Sequence, residues 1–99
     1  MPYILKESVH REIERLFDPD HVEDVRSQLA SQDLPMERSA PPARVHAAIL
    51  WLSKGDLKKF RDELNGARCD WRDTLVSAGL ANEDWKDVLA LRGIDCSDW

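Results

Sequence analysis

The stretch ARVHAAILWLSKG, residues 43–55, constrains the fold most, because the central part of this helical segment has almost no polar side chain. From Val45 to Leu52 the only polar residue is His46. A helix that is apolar on all sides is normally buried by its neighbours, and this one is too short to span a bilayer. We therefore predict a central buried helix at about 43–54, ended by Gly55, with other helices packed around it.

The rest of the chain also has the pattern of short helices. Apolar residues recur at helical spacing at about 4–17 and 19–31, in a segment that begins at Asp56, and at about 70–78 and 83–92. Thr and Tyr occur once each, so residues that prefer strands are scarce. The predicted fold is all-α, a compact bundle of five or six short helices. The predicted core is Ile13, Leu16, Val25, Leu29, Val45, Ile49, Leu52, Leu57, Phe60, Leu64, Leu75, Val88 and Leu89.

We expect a single domain over residues 1–99, since chains of this length rarely divide. Residues 1–31 predict an acidic helical hairpin, with Asp18 and Pro19 separating its two helices. Residues 32–42 contain three prolines and predict a linker. Residues 43–99 predict the helical core.

A 14-residue repeat lies in that core. Residues 70–80 read DWRDTLVSAGL, residues 84–94 read DWKDVLALRGI, and a third DW pair ends at Trp99. Asp70 and Asp84 are placed to cap two helices, and Gly79 and Gly93 to end them in the left-handed conformation. The repeat is therefore interpreted first as start, core and stop signals for two similar helices.

A functional interpretation of the repeat stays open beside the structural one. Tryptophan is enriched in the residues that dominate protein interfaces, so exposed DW tryptophans next to a charged face would form a recognition patch. This hypothesis favours a non-enzymatic protein–protein interaction module or regulator, which binds an unknown protein or self-associates. Its candidate interaction residues are Trp71, Trp85, Trp99, Lys58, Lys59, Arg61 and Arg72.

Binding to nucleic acid is the alternative hypothesis, based on a basic face from Lys54 to Arg72. Its cations would be Lys54, Lys58, Lys59, Arg61, Arg68 and Arg72. The net charge of −5 disfavours it, because an acidic chain repels phosphate backbones. Asp62 and Glu63 lie on the same predicted helix and weaken it further.

The motifs of catalysis and of metal or cofactor binding are absent from the sequence. There is no GxSxG, HExxH, GxGxxG or GxxxxGK pattern, so we expect no enzyme activity, no metal and no cofactor. A small enzyme that uses Cys69 with a histidine is a third hypothesis, since Cys69 directly precedes a predicted helix N-terminus. His46 is interpreted as a core histidine or a residue at the core boundary.

The location that the sequence predicts is the cytoplasm. Lys6 and Glu7 interrupt the apolar residues near the start, and a signal peptide needs a longer apolar run. No segment is apolar enough to suggest contact with a membrane. Cys69 and Cys96 lie 27 positions apart without a CxxC spacing, so no disulfide is expected in a reducing compartment.

The segments ARVHAAILWLSKGDL and ARCDWRDTL together resemble a pattern in small uncharacterised bacterial proteins, over about 30 residues. The resemblance implies an all-helical fold and a bacterial source, and it implies no activity or functional residues. The second DW copy and the C-terminal tail are not part of the pattern. The matching residues are Arg44, Val45, Ala48, Leu50, Leu52, Ser53, Gly55, Asp70, Trp71, Arg72 and Asp73.

Overall fold

The computed structural model describes residues 5–31, 42–97 and 99. These residues form five α-helices and no strand: α1 (Glu7–Leu16), α2 (Pro19–Ser31), α3 (Pro42–Ser53), α4 (Leu57–Ala78) and α5 (Trp85–Leu91). The all-α fold predicted from the sequence is confirmed. The predicted linker lies outside the described residues except for Pro42, which is the first residue of α3.

The apolar helix α3 is the central element. It packs mainly against α4 on one side and against α1 on another. Its small residues Ala43, Ala47 and Ala48 are buried together with Val45 and Ile49, so neighbouring helices approach its backbone closely. The prediction of a buried central helix is confirmed, with Trp51 as the large side chain that stays exposed.

Helix α4 spans two of the predicted helices, the segment that begins at Asp56 and the segment at about 70–78. The chain stays helical through Gly66, and the following Ala67 is buried. A kink lies at Asp70, whose φ of −153° and ψ of 88° are not helical. The two predicted helices are therefore joined end to end at Asp70, the residue that was predicted to cap the second of them.

The three aspartates predicted as caps behave differently. Asp56 Oδ1 accepts from the amide of Lys59 at 3.1 Å, and Asp70 Oδ1 accepts from the amide of Asp73 at 3.3 Å. The prediction is wrong for Asp84, whose side chain makes no capping bond. Asp84 has φ −84° and ψ 13° instead of an extended backbone, and the extended conformation is what directs a cap side chain at the next amides.

Most of the predicted core is buried. Nine of its thirteen residues are buried, while Leu16, Leu52, Leu57 and Val88 are partly buried against the others. The core also includes Leu80 and Ile94, which the periodicity missed. Each directly follows a glycine with positive φ, Gly79 or Gly93, and beyond a helix end the helical spacing gives no information about which residues turn inward.

The turn after α3 contacts the end of α1 at very short range. Lys54 and Gly55 both have positive φ, 52° and 81°, and a Cβ atom on Gly55 would lie 2.5 Å from the backbone oxygen of Leu16. Because only glycine lacks that atom, Gly55 allows the last turn of α1 to lie directly against the turn between α3 and α4. Behind this contact, Phe17 and Phe60 meet edge to face with centroids 5.8 Å apart.

Two glycine substitutions test this contact against a matched control. We expect Gly55→Ala to lower the free energy of unfolding by more than about 2 kcal/mol, since the methyl group meets backbone and the residue keeps a left-handed conformation. Gly66→Ala places the same methyl group in a helix where it meets nothing within 4 Å, and should raise stability by about 1 kcal/mol. Urea unfolding of both variants measures the difference. Equal effects would show that the contact between α1 and the following turn does not require a glycine at position 55.

Candidate functional site

The tryptophans of the DW repeat make intramolecular contacts. Trp71 is buried in the core, and the Arg72 guanidinium lies 5.3 Å from its ring centroid. Trp85 and Trp99 are half-buried and stack with centroids 6.3 Å apart at an interplanar angle of 26°. These contacts support the structural interpretation of the repeat. The use of these three rings in binding a partner stays a prediction.

Arg44 and Lys86 hold the stacked pair in place. The Arg44 guanidinium lies 5.0 Å from the Trp85 centroid, and its Nε donates to the carbonyl of Leu80 at 2.8 Å. Burial lowers the pKa of Arg44. The ammonium group of Lys86 lies 5.5 Å from the Trp85 centroid and donates to the carbonyl of Trp99 at 3.4 Å. This cluster fastens the end of the chain to the bundle.

The predicted basic residues lie on the outside of α4. Lys58, Lys59, Arg61 and Arg72 are all exposed. Lys58 and Arg61 share a face of the helix at a spacing of three, but Arg61 also forms an ion pair with Asp24 of α2 at 3.6 Å. Arg72 thus lies beside Trp71, while Arg61 is paired with α2, and the use of these residues as one binding surface stays a prediction.

Trp51 is an exposed aromatic residue that was not among the candidates predicted from the sequence. Its side chain is 40% exposed although it belongs to the central helix. The Arg92 guanidinium lies 3.9 Å from its ring centroid, and Arg92 Nη2 donates to the carbonyl of Ala78 at 2.6 Å. Burial lowers the pKa of Arg92. The carbonyl at the end of α4 thus holds the Arg92 guanidinium, and this guanidinium holds the Trp51 ring.

A signal for this exposure was present in the sequence. Arg44 lies seven residues before Trp51, and Lys54 lies three residues after it. Residues at these spacings share one face of a helix. Two cations on the face of Trp51 mark it as the face of α3 nearest to solvent.

A groove opens beside the Trp51 ring, with a volume of about 300 Å³. We call it the Trp51 groove, and its lining residues are Arg15, Leu16, Trp51 and Lys54. Arg15 is held in place by two bonds to Glu12, at 2.9 and 2.7 Å. Hydrogen bonding with Glu12 and its charge raise the pKa of Arg15. The groove therefore combines an aromatic face and an aliphatic side chain with two cations.

A second groove also borders the last turn of α1, with a volume of about 380 Å³. We call it the hairpin groove, and its lining residues are Glu14, Pro19, Val22, Glu23 and Arg26. Arg26 pairs with Glu14 at 3.1 Å and also with Glu23. The side chain of Arg26 is 25% exposed, against 62% for Glu14 and 81% for Glu23. The carboxylates therefore form the outer part of this groove.

The residues considered for catalysis are distributed over separate elements. Cys69 is exposed on α4, while Cys96 is buried, and both are free thiols. Burial raises the pKa of the Cys96 thiol, which lies 3.5 Å from the carbonyl of Lys86. Among residues 5–31, 42–97 and 99, no group of three His, Cys, Asp or Glu side chains is arranged to hold a metal ion. The hypothesis of an enzyme based on Cys69 stays a prediction.

No protein family model, curated protein sequence or solved structure matches this chain. None of the described helices is both long enough and apolar enough to cross a membrane.

His46 is buried within α3, and burial lowers its pKa from 6.5 to about 4. The unfolded chain therefore binds a proton on His46 at a higher pH than the folded chain does. Its contribution to the free energy of unfolding is complete above pH 6.5 and is lost as the pH falls toward 4, which costs about 3 kcal/mol.

Chemical denaturation across this pH range tests the role of His46. We expect His46→Gln to remove the extra loss of stability between pH 6.5 and pH 4 that the parent shows. His21→Gln, at a half-buried position on α2, is the matched control and should keep the slope of the parent. The assignment fails if both variants show the same dependence on pH.

Proposed function

We propose that this protein is a non-enzymatic protein–protein interaction module that binds through the Trp51 groove. One observation carries the proposal: a tryptophan of the central helix is left exposed beside a groove, and Arg92 holds its ring. Tryptophan and arginine are the residues most enriched in the hot spots of protein interfaces. A ring that is already fixed in place loses little conformational entropy when a partner covers it.

The chemistry of the groove supports a protein ligand. Trp51 and Leu16 offer apolar surface, while Arg15 and Lys54 supply charged donors at its edge. An apolar centre with a polar rim is the usual anatomy of a protein interface. The proposal places the module in the cytoplasm of a bacterial cell, where the free thiols Cys69 and Cys96 would stay reduced.

Nucleic-acid binding is a second candidate, which the exposed cations of α4 favour. Lys58, Arg61 and Arg68 lie on one face of that helix and are all exposed. This candidate requires duplex or single-strand binding that weakens with salt and is lost in a variant with both Lys58→Glu and Lys59→Glu. Absence of binding at about 50 mM salt would eliminate it.

Site-specific photo-crosslinking tests the proposed module. A photoreactive amino acid at Lys54 should give a discrete adduct with a protein in cells, and Trp51→Ala should abolish that adduct. Trp51 is 40% exposed, so Trp51→Ala removes the contact with Arg92 together with the apolar contacts of the covered part of the ring, and we expect it to lower stability by about 1 to 3 kcal/mol. Val76→Ala is the matched control, since Val76 is 64% exposed and does not line the groove.

The two substitutions separate binding from folding. Loss of the adduct in Trp51→Ala but not in Val76→Ala, with both variants shown to be folded by cooperative thermal unfolding above the temperature of the experiment, supports the proposal. An adduct that is unchanged by Trp51→Ala, or the absence of a discrete adduct in the parent, would contradict it.

A further inference from the structure

We propose that the partner in the Trp51 groove is a second copy of this chain, and that the two copies pair about a two-fold axis. The inference rests on the proposed function and names the partner of that site. In this arrangement the Trp51 groove of each copy faces the hairpin groove of the other, and Lys54 of one copy pairs with Glu23 of its partner.

The two grooves differ in the sign of their net lining charge, because two cations line the Trp51 groove, whereas two carboxylates and one cation, Arg26, line the hairpin groove. The Trp51 groove is lined by Arg15 and Lys54, with Arg92 stacked on the ring. Glu12, the partner of Arg15, has a side chain that is only 10% exposed, while Arg15 is 56% exposed, so the cation faces outward. In the hairpin groove Glu14 and Glu23 face outward, as described above. Complementary charge of this kind fixes partner and register.

Apolar surface is present in both grooves. Leu16 and Trp51 line the cationic groove, and Pro19 and Val22 line the acidic one. Pairing the grooves would cover apolar surface on both sides while each carboxylate meets a cation. Burial of apolar area supplies the attraction, and the charges determine the orientation.

The position of the grooves suits a two-fold axis. Glu14 of the hairpin groove and Arg15 of the Trp51 groove are consecutive residues on the last turn of α1, so the two grooves border the same turn. In a two-fold interface the same patch of both subunits must be complementary to itself. A patch with adjacent halves of opposite charge meets that condition.

The positions of the charges, rather than the net charge, favour a second copy over other partners. A foreign acidic segment in the Trp51 groove would leave the hairpin groove uncovered. A second copy would use both grooves at the same time. The carboxylates of its hairpin groove would meet the cations of the first copy's Trp51 groove, and the cations of its Trp51 groove would meet the first copy's hairpin groove.

Charge reversal at one contact tests the arrangement. We expect Lys54→Glu or Glu23→Lys alone to weaken dimerisation at least about tenfold, since each variant places like charges together at both symmetric contacts. An equimolar mixture of the two variants should restore the dimer, because the mixed pair has one native contact and one reversed contact, both of opposite sign. The doubly substituted chain should also restore it. Sedimentation equilibrium measures the dimerisation constant.

Two matched controls account for net charge. Lys59→Glu and Glu83→Lys change the charge by the same amounts at exposed positions outside both grooves, and should leave the dimerisation constant unchanged. Thermal unfolding monitored by circular dichroism shows whether each variant is folded. A folded single variant that dimerises like the parent, or a mixture that stays monomeric, would overturn the two-fold arrangement, as would a series of higher oligomers.

The experiments distinguish a chain that does not dimerise from a chain that is not an interaction module. A parent chain that stays monomeric at about 1 mM has no self-association of biological use, which overturns the dimer. If the Lys54 crosslink to another protein then still depends on Trp51, the interaction module stands with a different partner. If binding to nucleic acid depends on Lys58 and Lys59 while Trp51→Ala has no effect, both proposals are wrong.

Discussion

The burial of α3 is the constraint on which the rest of the structure depends. A helix with a single polar residue between Val45 and Leu52 is stable in water only if other elements cover it nearly all round. Helices α4 and α1 provide that cover. This burial has one electrostatic consequence. His46 is enclosed with the apolar residues, so its neutral form is strongly favoured.

The candidate site lies where this cover ends. Helix α1 stops at Leu16, and its backbone there lies against Gly55, so no further turn of α1 extends over the end of α3. Arg92 crosses from the end of α5 and covers one face of Trp51. The ring also borders the groove, so an element that is central to the core also contributes to the surface. Folding and the proposed binding thus depend on the same helix through different side chains.

The sequence predicted the individual helices well and the connections between them less well. The apolar spacing and the caps Asp56 and Asp70 identified the helices, since both signals are local. These local signals did not indicate that the helices on either side of Asp70 join through a kink with no turn between them.

The surface could be predicted only in part. Lys58 and Lys59 were correctly expected on an exposed face, while the contact of Arg92 with Trp51 joins residues that are 41 positions apart. Local spacing carries no information about a contact of that range, because it is set by how the helices cross. Trp71 looked similar to Trp85 in the repeat, yet one is buried and the other half-buried.

The cations of the Trp51 groove follow from the requirements of the helices themselves. Arg15 lies in the last turn of α1, and Lys54 directly follows α3, where cations offset the negative ends of the helix dipoles. Asp20 lies in the first turn of α2, where a carboxylate offsets a positive end, and Glu23 of the hairpin groove follows it by three residues. Because α1 and α2 are joined by a two-residue connection, a cationic helix end and an acidic helix start must lie side by side. A tight helical hairpin therefore produces neighbouring patches of opposite charge, and such patches are complementary to themselves after a half turn.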